Sequence, residues 1–283
     1  MQRLMAIVCA LACLQCRIAS AREIFVDNLI GSDNFDGLLN RPVDSGSGPV
    51  RTLHRAMQIA RFGDVVTLTR TGTVYFDSLA LTGIRNSGTP QYPFKINGNG
   101  ATLSGQRLVN PQGWRKAGPD LWKLTLTRKG FYRLLRDGQP LPEVRHEGIN
   151  PLASLAEGSW TAWEGSIYFH ADGEPPATET FSYSADQTGL SLYQVSNVYI
   201  SDLTLRDFRF DGINAQNMCE GITLKNVNCT NNGRAGLAVS GSSHVEIDGG
   251  NLADNGRFQV RIAKPAGVTL NNVTMEGEPT IVP

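Results

Sequence analysis

Short runs of alternating apolar and polar residues dominate the C-terminal third of the chain, and they recur at nearly constant spacing. A Val-x-Ile pattern, or a close variant of it, begins at Val198, Ile222, Val245 and Val268. The steps between these starts are 24, 23 and 23 residues. Repeats of this size are typical of stacked solenoids, in which each repeat packs against its neighbours. The pattern therefore predicts one coil of a solenoid per repeat.

Each repeat contains three apolar runs rather than one. A second apolar pair follows the first run, as at Leu203 and Leu205, and a third run follows a polar turn, as in Gly236-Leu-Ala-Val. Alternation with a period of two, in short runs bounded by Asn, Asp and Gly, indicates strands. Three short strands per coil of about 23 residues predict a parallel β-helix.

The same alternation assigns the faces of the third strand. Ile213, Leu237 and Val260 are expected to point into the core, so that their sequence neighbours point outward on one continuous sheet. The outward set contains the following residues: Ser191, Tyr193, Asn214, Gln216, Ala238, Ser240 and Arg261.

The N-terminal part predicts a cap for the solenoid. Leu53, Met57 and Ala60 lie on one face at helical spacing, Thr52 suits the N-cap, and Gly63 is expected to end the helix. A short amphipathic helix here would cover the open end of the first coil, whose backbone groups are otherwise unpaired.

The repeat is lost between residues 106 and 186, where all four tryptophans fall. Asp137-Gly138 and Asp172-Gly173 are tight-turn signals between strand-like runs, which predicts an inserted antiparallel β module. The predicted organisation is a signal peptide (1–21), the cap and first coils (22–105), the inserted module (106–186) and the regular coils (187–283).

Three N-terminal motifs are similar to one known group of proteins. The turn Gly31-Ser-Asp-x-x-Asp-Gly37, the helix Pro49-x-Arg-Thr-Leu-x-x-Ala56 and the strand Gly63-Asp-x-Val-x-Leu68 resemble the start of secreted right-handed parallel β-helix proteins of the pectate-lyase-like superfamily. The resemblance implies an all-β, right-handed parallel β-helix with an N-terminal capping helix. It also implies a polysaccharide groove on the outer sheet face and the turn before it. In some β-helix glycosidases a similar insertion walls the substrate cleft.

Carboxylates and arginines near that face are the candidate catalytic groups. Asp207 and Asp254 share a repeat column with Asn231, which predicts carboxylates about 10 Å apart across two strand spacings. That separation is near the upper end of the range for an inverting glycoside hydrolase. A lyase or epimerase would instead use a base and a cation for the substrate carboxylate. We predict Asp207, Asp211, Asp254 and Arg261 as catalytic residues.

Polar and aromatic side chains around the same face are the candidate substrate-binding residues. The predicted set contains Arg234, Arg257, Asn214, Gln216, Tyr193 and Trp163. A competing interpretation is structural, because Asp and Asn at equivalent turns form stacked hydrogen-bond ladders. Two functions stay open: an exported lyase, epimerase or hydrolase acting on a polysaccharide or oligosaccharide, and a non-catalytic glycan-binding or cell-surface structural protein.

Charge and the N-terminus narrow the choice of partners and location. The formal net charge is 0 and the pI is about 6.9, which gives no long-range field to attract nucleic acid or an anionic membrane. Arg3, the apolar run Leu4 to Leu14 and Ala19-Ser-Ala21 predict a signal peptide cleaved after Ala21, with no transmembrane span in the mature chain. We therefore predict a secreted, periplasmic or cell-surface protein. The competing interpretation is lipid attachment at Cys13 or Cys16.

Two further features concern metal ions and partners. The turn Asp33-Asn34-x-Asp36 offers three oxygen ligands that could hold calcium, but an Asx-rich turn explains it equally well. No specific metal motif is present in the sequence, and we predict no cofactor. The last repeat has no helix after it, and Pro279 and Pro283 can block strand addition. We expect either that the stack is short or that a partner or a second copy of the chain covers this coil.

Overall fold

Parallel strands account for the repeat region and form two sheets around one apolar core. The computed structural model describes residues 21–146 and 149–283. The larger sheet contains Glu23–Val26, Val65–Leu68, Phe94–Ser104, Ser196–Arg206, Glu220–Lys225, Asn228–Thr230, His244–Asp248, Asn251–Ala253, Gly267–Asn271 and Thr274–Met275. The smaller sheet contains Leu79–Thr82, Thr188–Tyr193, Asp211–Gln216, Ala235–Val239, Phe258–Ala263 and Thr280–Val282. The prediction of an all-β, right-handed parallel β-helix is confirmed.

The register of the strands follows the sequence repeat. Val198, Ile222, Val245 and Val268 pair in that order, one coil after the next. The smaller sheet has an equivalent inward column that contains Leu190, Ile213, Leu237 and Val260, all fully buried. Each buried side chain therefore stacks on its counterpart in the neighbouring coil, which keeps the core continuous along the stack.

Asn and Asp side chains support the turns between strands. Asn231 and Asp207 have positive φ, a conformation that few residues other than Gly, Asn and Asp adopt readily. The Asn231 Nδ2 donates to Asp207 Oδ1 at 2.7 Å. One position further along, Asn232 Nδ2 donates to Asn255 Oδ1 at 2.9 Å. The structure contains the ladder that the structural interpretation of these residues expects.

The capping helix comprises Leu53–Ile59. The Thr52 Oγ1 accepts a hydrogen bond from the Arg55 N–H at 3.1 Å, which confirms the predicted N-cap. The helix ends earlier than predicted, because Ala60 is already extended and serves as the C-cap. Gly63, with φ of 73°, lies in the turn before Val65–Leu68 rather than at the helix end.

Antiparallel strands occupy the region where the repeat is lost; we call this the module. One sheet contains Trp114–Lys116, Leu121–Thr125, Trp160–Trp163 and Ser166–His170. The other contains Gln106–Leu108, Leu134–Arg136, Gln139–Pro140 and Phe181–Ser184. Short 3-10 turns are Ile84–Asn86 before the module and Pro111–Gly113, Leu152–Ser154 and Pro176–Thr178 within it. The core of the module is aromatic, with Trp114, Trp160, Phe169 and Phe181 nearly or fully buried.

The module packs against one turn of the β-helix. A Cβ added at Gly233 would lie 1.8 Å from the Phe131 carbonyl oxygen, so only glycine fits beneath the module at that position. The Arg209 Nη1 donates to the Lys129 carbonyl at 3.0 Å, and the rings of Phe131 and Phe210 meet edge to face at 5.5 Å. This junction places module residues beside the candidate site.

Candidate functional site

The outer face of the smaller sheet is the surface that the alternation predicted. Ser191, Asn214, Ala238 and Arg261 pair in successive coils, and the inward residues beside them are buried. Ala238 is only 3% exposed although it points outward, because larger neighbours cover it on both sides. The sheet therefore presents a polar surface with a shallow centre.

A groove lies at the module end of this face; we call it the outer-face groove. Its volume is about 460 Å³. The walls contain Ser78, Leu79, Ala80, Gln187, Thr188, Ser191, Phe210, Asn214, Gln216 and Arg234. Hydroxyl and amide groups dominate, together with one aromatic ring and one guanidinium. The guanidinium carbons of Arg234 and Arg209 lie 5.1 and 5.5 Å from the centroid of the Phe210 ring, so the groove combines neutral hydrogen-bonding groups with a ring that stacks on arginine.

An ion pair beneath the groove holds its single arginine. The Arg234 Nε and Nη2 donate to the two oxygens of Asp211 at 2.9 and 2.5 Å. The Asn214 Nδ2 also donates to Asp211 Oδ2, at 2.8 Å. Asp211 is fully buried, and its hydrogen bonds raise the pKa of Arg234 above its usual value. The carboxylate predicted to be catalytic therefore positions Arg234 and Asn214 and does not face the groove itself.

Asp207 and Asp254 belong to a different cleft, on the other side of the turn. This module cleft has a volume of about 440 Å³. Its lining contains Arg133, Pro140, Leu141, Arg206, Asp207, Thr230, Asn231 and Asp254. The sequence prediction grouped these aspartates with Asp211, but the turn separates them into two sites.

The two aspartates of the module cleft have different surroundings. Asp207 is fully buried and accepts hydrogen bonds from Ser104 Oγ at 2.9 Å and Asn231 Nδ2 at 2.7 Å, with Arg206 Nη1 at 3.3 Å. Asp254, two coils away from Asp207, is exposed. Only the Asp254 carboxylate is therefore open to a ligand as the structure stands.

Arg133 joins the module to the β-helix at this cleft. Its Nη2 donates to the backbone carbonyl of Asp254, and its Nη1 lies 3.4 Å from Glu143 Oε2. Burial lowers the pKa of Arg133, and the carboxylate of Glu143 opposes that effect. The arginine is a firmly placed cation opposite Asp254.

The remaining predicted residues lie outside both sites. Arg257 is exposed and stacks over the Phe131 ring, with 5.8 Å from the guanidinium carbon to the ring centroid. Arg261 lies beside Ala238 further along the outer face, and Tyr193, 38% exposed, pairs with Gln216 where both strands end. Trp163 lies on the module, edge to face with His146 at 4.8 Å.

The lining residues that the sequence reasoning missed include one aromatic ring and two arginines. Phe210 sits inside the turn Asp207 to Asp211, where its position between two aspartates was the available signal. Arg133 and Arg206 carry no such signal, because Arg133 belongs to a segment without a repeat and Arg206 ends an ordinary strand. These two arginines line one cleft only because the module packs against the β-helix at this point.

The turn considered for calcium uses its side chains as hydrogen-bond acceptors. The Asp33 carboxylate accepts from the N–H groups of Arg51 and Thr52, both at 2.9 Å, and from Thr52 Oγ1 at 2.8 Å. Asp36 Oδ1 accepts from the Leu38 N–H at 3.0 Å. Within residues 21–146 and 149–283, no group of three His, Cys, Asp or Glu side chains is placed to hold a metal ion.

Comparisons with known proteins agree with the architecture. Residues 188–280 match the family model for the right-handed β-helix region. A solved structure described as the complex of XylC with xylose is 10% identical, with a TM-score of 0.57, and the match covers 89% of this chain. The chain spans 58% of the length of that structure.

Two further solved structures match this chain with lower TM-scores. A glycoside hydrolase is 12% identical, with a TM-score of 0.48 and coverage of 89% of this chain and 80% of the other. A GH136 lacto-N-biosidase from Eubacterium ramulus is 16% identical, with a TM-score of 0.31 and coverage of 90% and 33%. No curated protein sequence matches the chain significantly. In the described part, no helix has the length and apolar character needed to cross a membrane.

Proposed function

We propose that this right-handed parallel β-helix protein is carbohydrate-active and binds a glycan in the outer-face groove. The observation that carries the proposal is the lining of the groove, which contains Asn214, Gln216 and Arg234 together with the Phe210 ring. Amide, hydroxyl and guanidinium groups can pair with sugar hydroxyls, and an aromatic ring suits the apolar face of a pyranose. The similar structure with xylose bound makes xylo-oligosaccharides the first ligands to test.

The groove is better suited to binding than to bond cleavage. Glycoside hydrolysis generally uses two carboxyl groups on either side of the scissile bond. Asp211 is the carboxylate nearest the groove, and both of its oxygens already accept hydrogen bonds from Arg234 or Asn214. Its buried position leaves it no contact with a ligand, so we assign the groove to recognition.

A second candidate function is lyase or epimerase chemistry in the module cleft. Asp254 is an exposed carboxylate that can act as a base, and Arg133 and Arg206 line the same cleft and can neutralise a uronate. Asp207 and Asp254 are two strand spacings apart, about 10 Å, which suits an inverting hydrolase less well.

Binding is tested by titrating xylo-oligosaccharides and uronate oligosaccharides into the full chain by calorimetry. Gln216→Ala is expected to weaken binding about fivefold, which corresponds to the loss of one hydrogen bond worth roughly 1 kcal/mol. Thr223→Ala is the matched control, because Thr223 points outward from the larger sheet. The proposal fails if no glycan binds, or if both variants bind like the unmodified protein.

Catalysis is tested separately on the same glycans. Reducing-sugar release detects hydrolysis, and ultraviolet absorbance of an unsaturated product detects a lyase. We expect any activity in the module cleft to be lost in Asp254→Asn and kept in Gln216→Ala. Activity that survives Asp254→Asn would remove the second candidate function.

We also propose that the protein is exported, with cleavage after Ala21. The proposal rests on Arg3, the apolar run Leu4 to Leu14 and Ala19-Ser-Ala21; residues 1–20 lie outside the described residues. N-terminal sequencing of the mature protein should begin at Arg22. A lipid-modified Cys13 or Cys16 at the N-terminus would instead indicate anchoring.

A further inference from the structure

A third cavity lies where the module meets the end of the β-helix turn, and it differs from the other two sites in charge. We call it the basic cavity. Its volume is about 350 Å³, within the usual range for small-ligand sites. The charged residues that line it are Arg107, Arg128, Arg209 and Asp186, with Tyr183, Thr125 and Thr127 beside them. Three arginines with one carboxylate leave an excess of positive charge.

The excess is not removed by pairing inside the cavity. Arg107 forms an ion pair with Asp186 at 2.9 Å, but the Arg107 side chain is 53% exposed, and such pairs are weak in water. Arg128 and Arg209 form no ion pair with a carboxylate among the described residues. Because the whole chain is neutral, this cluster is a local feature and not part of a generally basic surface.

Arg209 supplies the second observation. The residue is 6% exposed, and its Nε has no hydrogen-bond partner in the described part of the chain. Its Nη1 donates to the Lys129 carbonyl and its backbone N–H donates to the Asp186 carbonyl at 2.8 Å, which together fix its position. Arg209 therefore holds an almost fully buried positive charge beside the cavity, with no carboxylate partner in the described part of the chain, and this favours an anionic ligand there.

The geometry points to a binding site for an anionic substituent of a sugar, either a uronate carboxylate or a sulfate ester. Guanidinium groups match the planar, multiple-acceptor geometry of these anions better than an ammonium does. Tyr183, cross-strand from Arg107, adds a ring that a sugar can contact. The inference goes beyond the proposed function, because it concerns other residues and holds whether or not the outer-face groove binds a glycan.

The test uses calorimetric titration of the full chain with glucuronate, glucose 6-sulfate, glucose and inorganic sulfate. We expect one or both charged sugars to bind, with affinity falling as salt is raised, and glucose to bind at least tenfold more weakly. The charged sugar that binds shows whether the cavity accepts a carboxylate or a sulfate ester. Absence of binding by both charged sugars would overturn the inference, as would inorganic sulfate binding as tightly as the charged sugars.

Variants locate the binding. Arg128→Ala removes an exposed side chain from the cavity and should weaken the charged sugar about tenfold, since charge-assisted hydrogen bonds are strong. Arg115→Ala is the matched control, because it removes an exposed module arginine outside the cavity. Arg209→Gln should also weaken binding, and thermal unfolding confirms that each variant is folded. Unchanged affinity in Arg128→Ala contradicts the site, whereas Gln216→Ala, which tests the groove, should leave this binding intact.

Discussion

The β-helix coils and the module are stabilised by different kinds of core. In the coils, aliphatic side chains such as Ile213, Leu237 and Val260 stack in register from one coil to the next. In the module, Phe181 packs against Trp114 at 5.4 Å and against Phe169 at 5.1 Å, with no repeated partner elsewhere. The coils therefore spread their stability over many equivalent contacts, while the module depends on a few large ones.

The difference between the repeating coils and the non-repeating module also explains where the candidate sites lie. In the coils the turns repeat, and their polar side chains hydrogen-bond to one another, as Asn231 does to Asp207. The module breaks that repetition by bringing Arg133 and Arg128 next to the turns. Two of the three sites thus need residues from both regions.

The largest expected effect is in the module core. Phe169→Ala should lower the free energy of unfolding by about 3–5 kcal/mol, because it leaves a cavity between Trp114 and Phe181. All four tryptophans lie in the module, so tryptophan fluorescence follows its unfolding, and far-UV circular dichroism follows the coils as well. The fluorescence transition should move to lower denaturant than the dichroism transition. Equal shifts of both would show that the two regions unfold as one unit.

The next effect is at the ion pair under the outer-face groove. Asp211→Ala should cost about 3 kcal/mol, because Arg234 and Asn214 lose their shared acceptor in a buried position. Chemical denaturation measures the change. The control is Asp254→Asn at an exposed position, where Asn tolerates the positive φ of 56°, and its stability is expected within about 0.5 kcal/mol of the unmodified protein. A similar cost in both variants would contradict the structural role assigned to Asp211.

A smaller effect is expected for the ladder inside the coils. Asn255→Ala removes the acceptor for Asn232 and the donor to the Cys229 carbonyl, and should cost about 1–3 kcal/mol. The control is Asn271→Ala, which removes an exposed contact to Glu246. It should change the free energy of unfolding by less than about 0.5 kcal/mol. Equal midpoints of thermal unfolding for the two variants would show that the ladder adds nothing.

The smallest effect concerns a surface pair in the module. Hydrogen bonds from Arg136 lower the pKa of Asp172 below its usual 3.8, so the pair stabilises the folded state above that pH and is lost as the pH falls through the folded pKa. Both side chains are partly exposed, so the contribution is below about 1 kcal/mol. Asp172→Asn should reduce stability at about pH 6, and the difference from the unmodified protein should shrink as the pH falls below the usual 3.8. A difference that persists in acid would assign the effect to packing.

Much of the coil structure follows from the sequence because its contacts repeat. The spacing of Val198, Ile222 and Val245 predicts their pairing, since strands in neighbouring coils must align side chain on side chain. Thr52 likewise predicts the start of the helix, where the cap is a local interaction. The end at Ile59 was missed, because the backbone is already extended at Ala60, before Gly63 is reached.

The candidate sites are less predictable because they depend on contacts between distant residues. Repeat columns placed Asp207, Asp211 and Asp254 near one another, but they do not reveal that Arg234 covers Asp211 or that the turn divides two clefts. The contact of Arg133 with Asp254 spans 121 residues and arises only when the module docks. No local pattern predicts it.

The glycine beneath the module has a consequence for how such proteins can be rebuilt. The turn backbone at Gly233 recurs one coil later at Gly256, where an added Cβ would meet the Gly233 carbonyl oxygen at 2.0 Å. Two consecutive coils thus carry buried glycines at the same corner, where the backbone of the preceding coil leaves no room for a side chain. A rebuilt stack would therefore have to keep glycine at this corner for neighbouring coils to approach as closely as they do here.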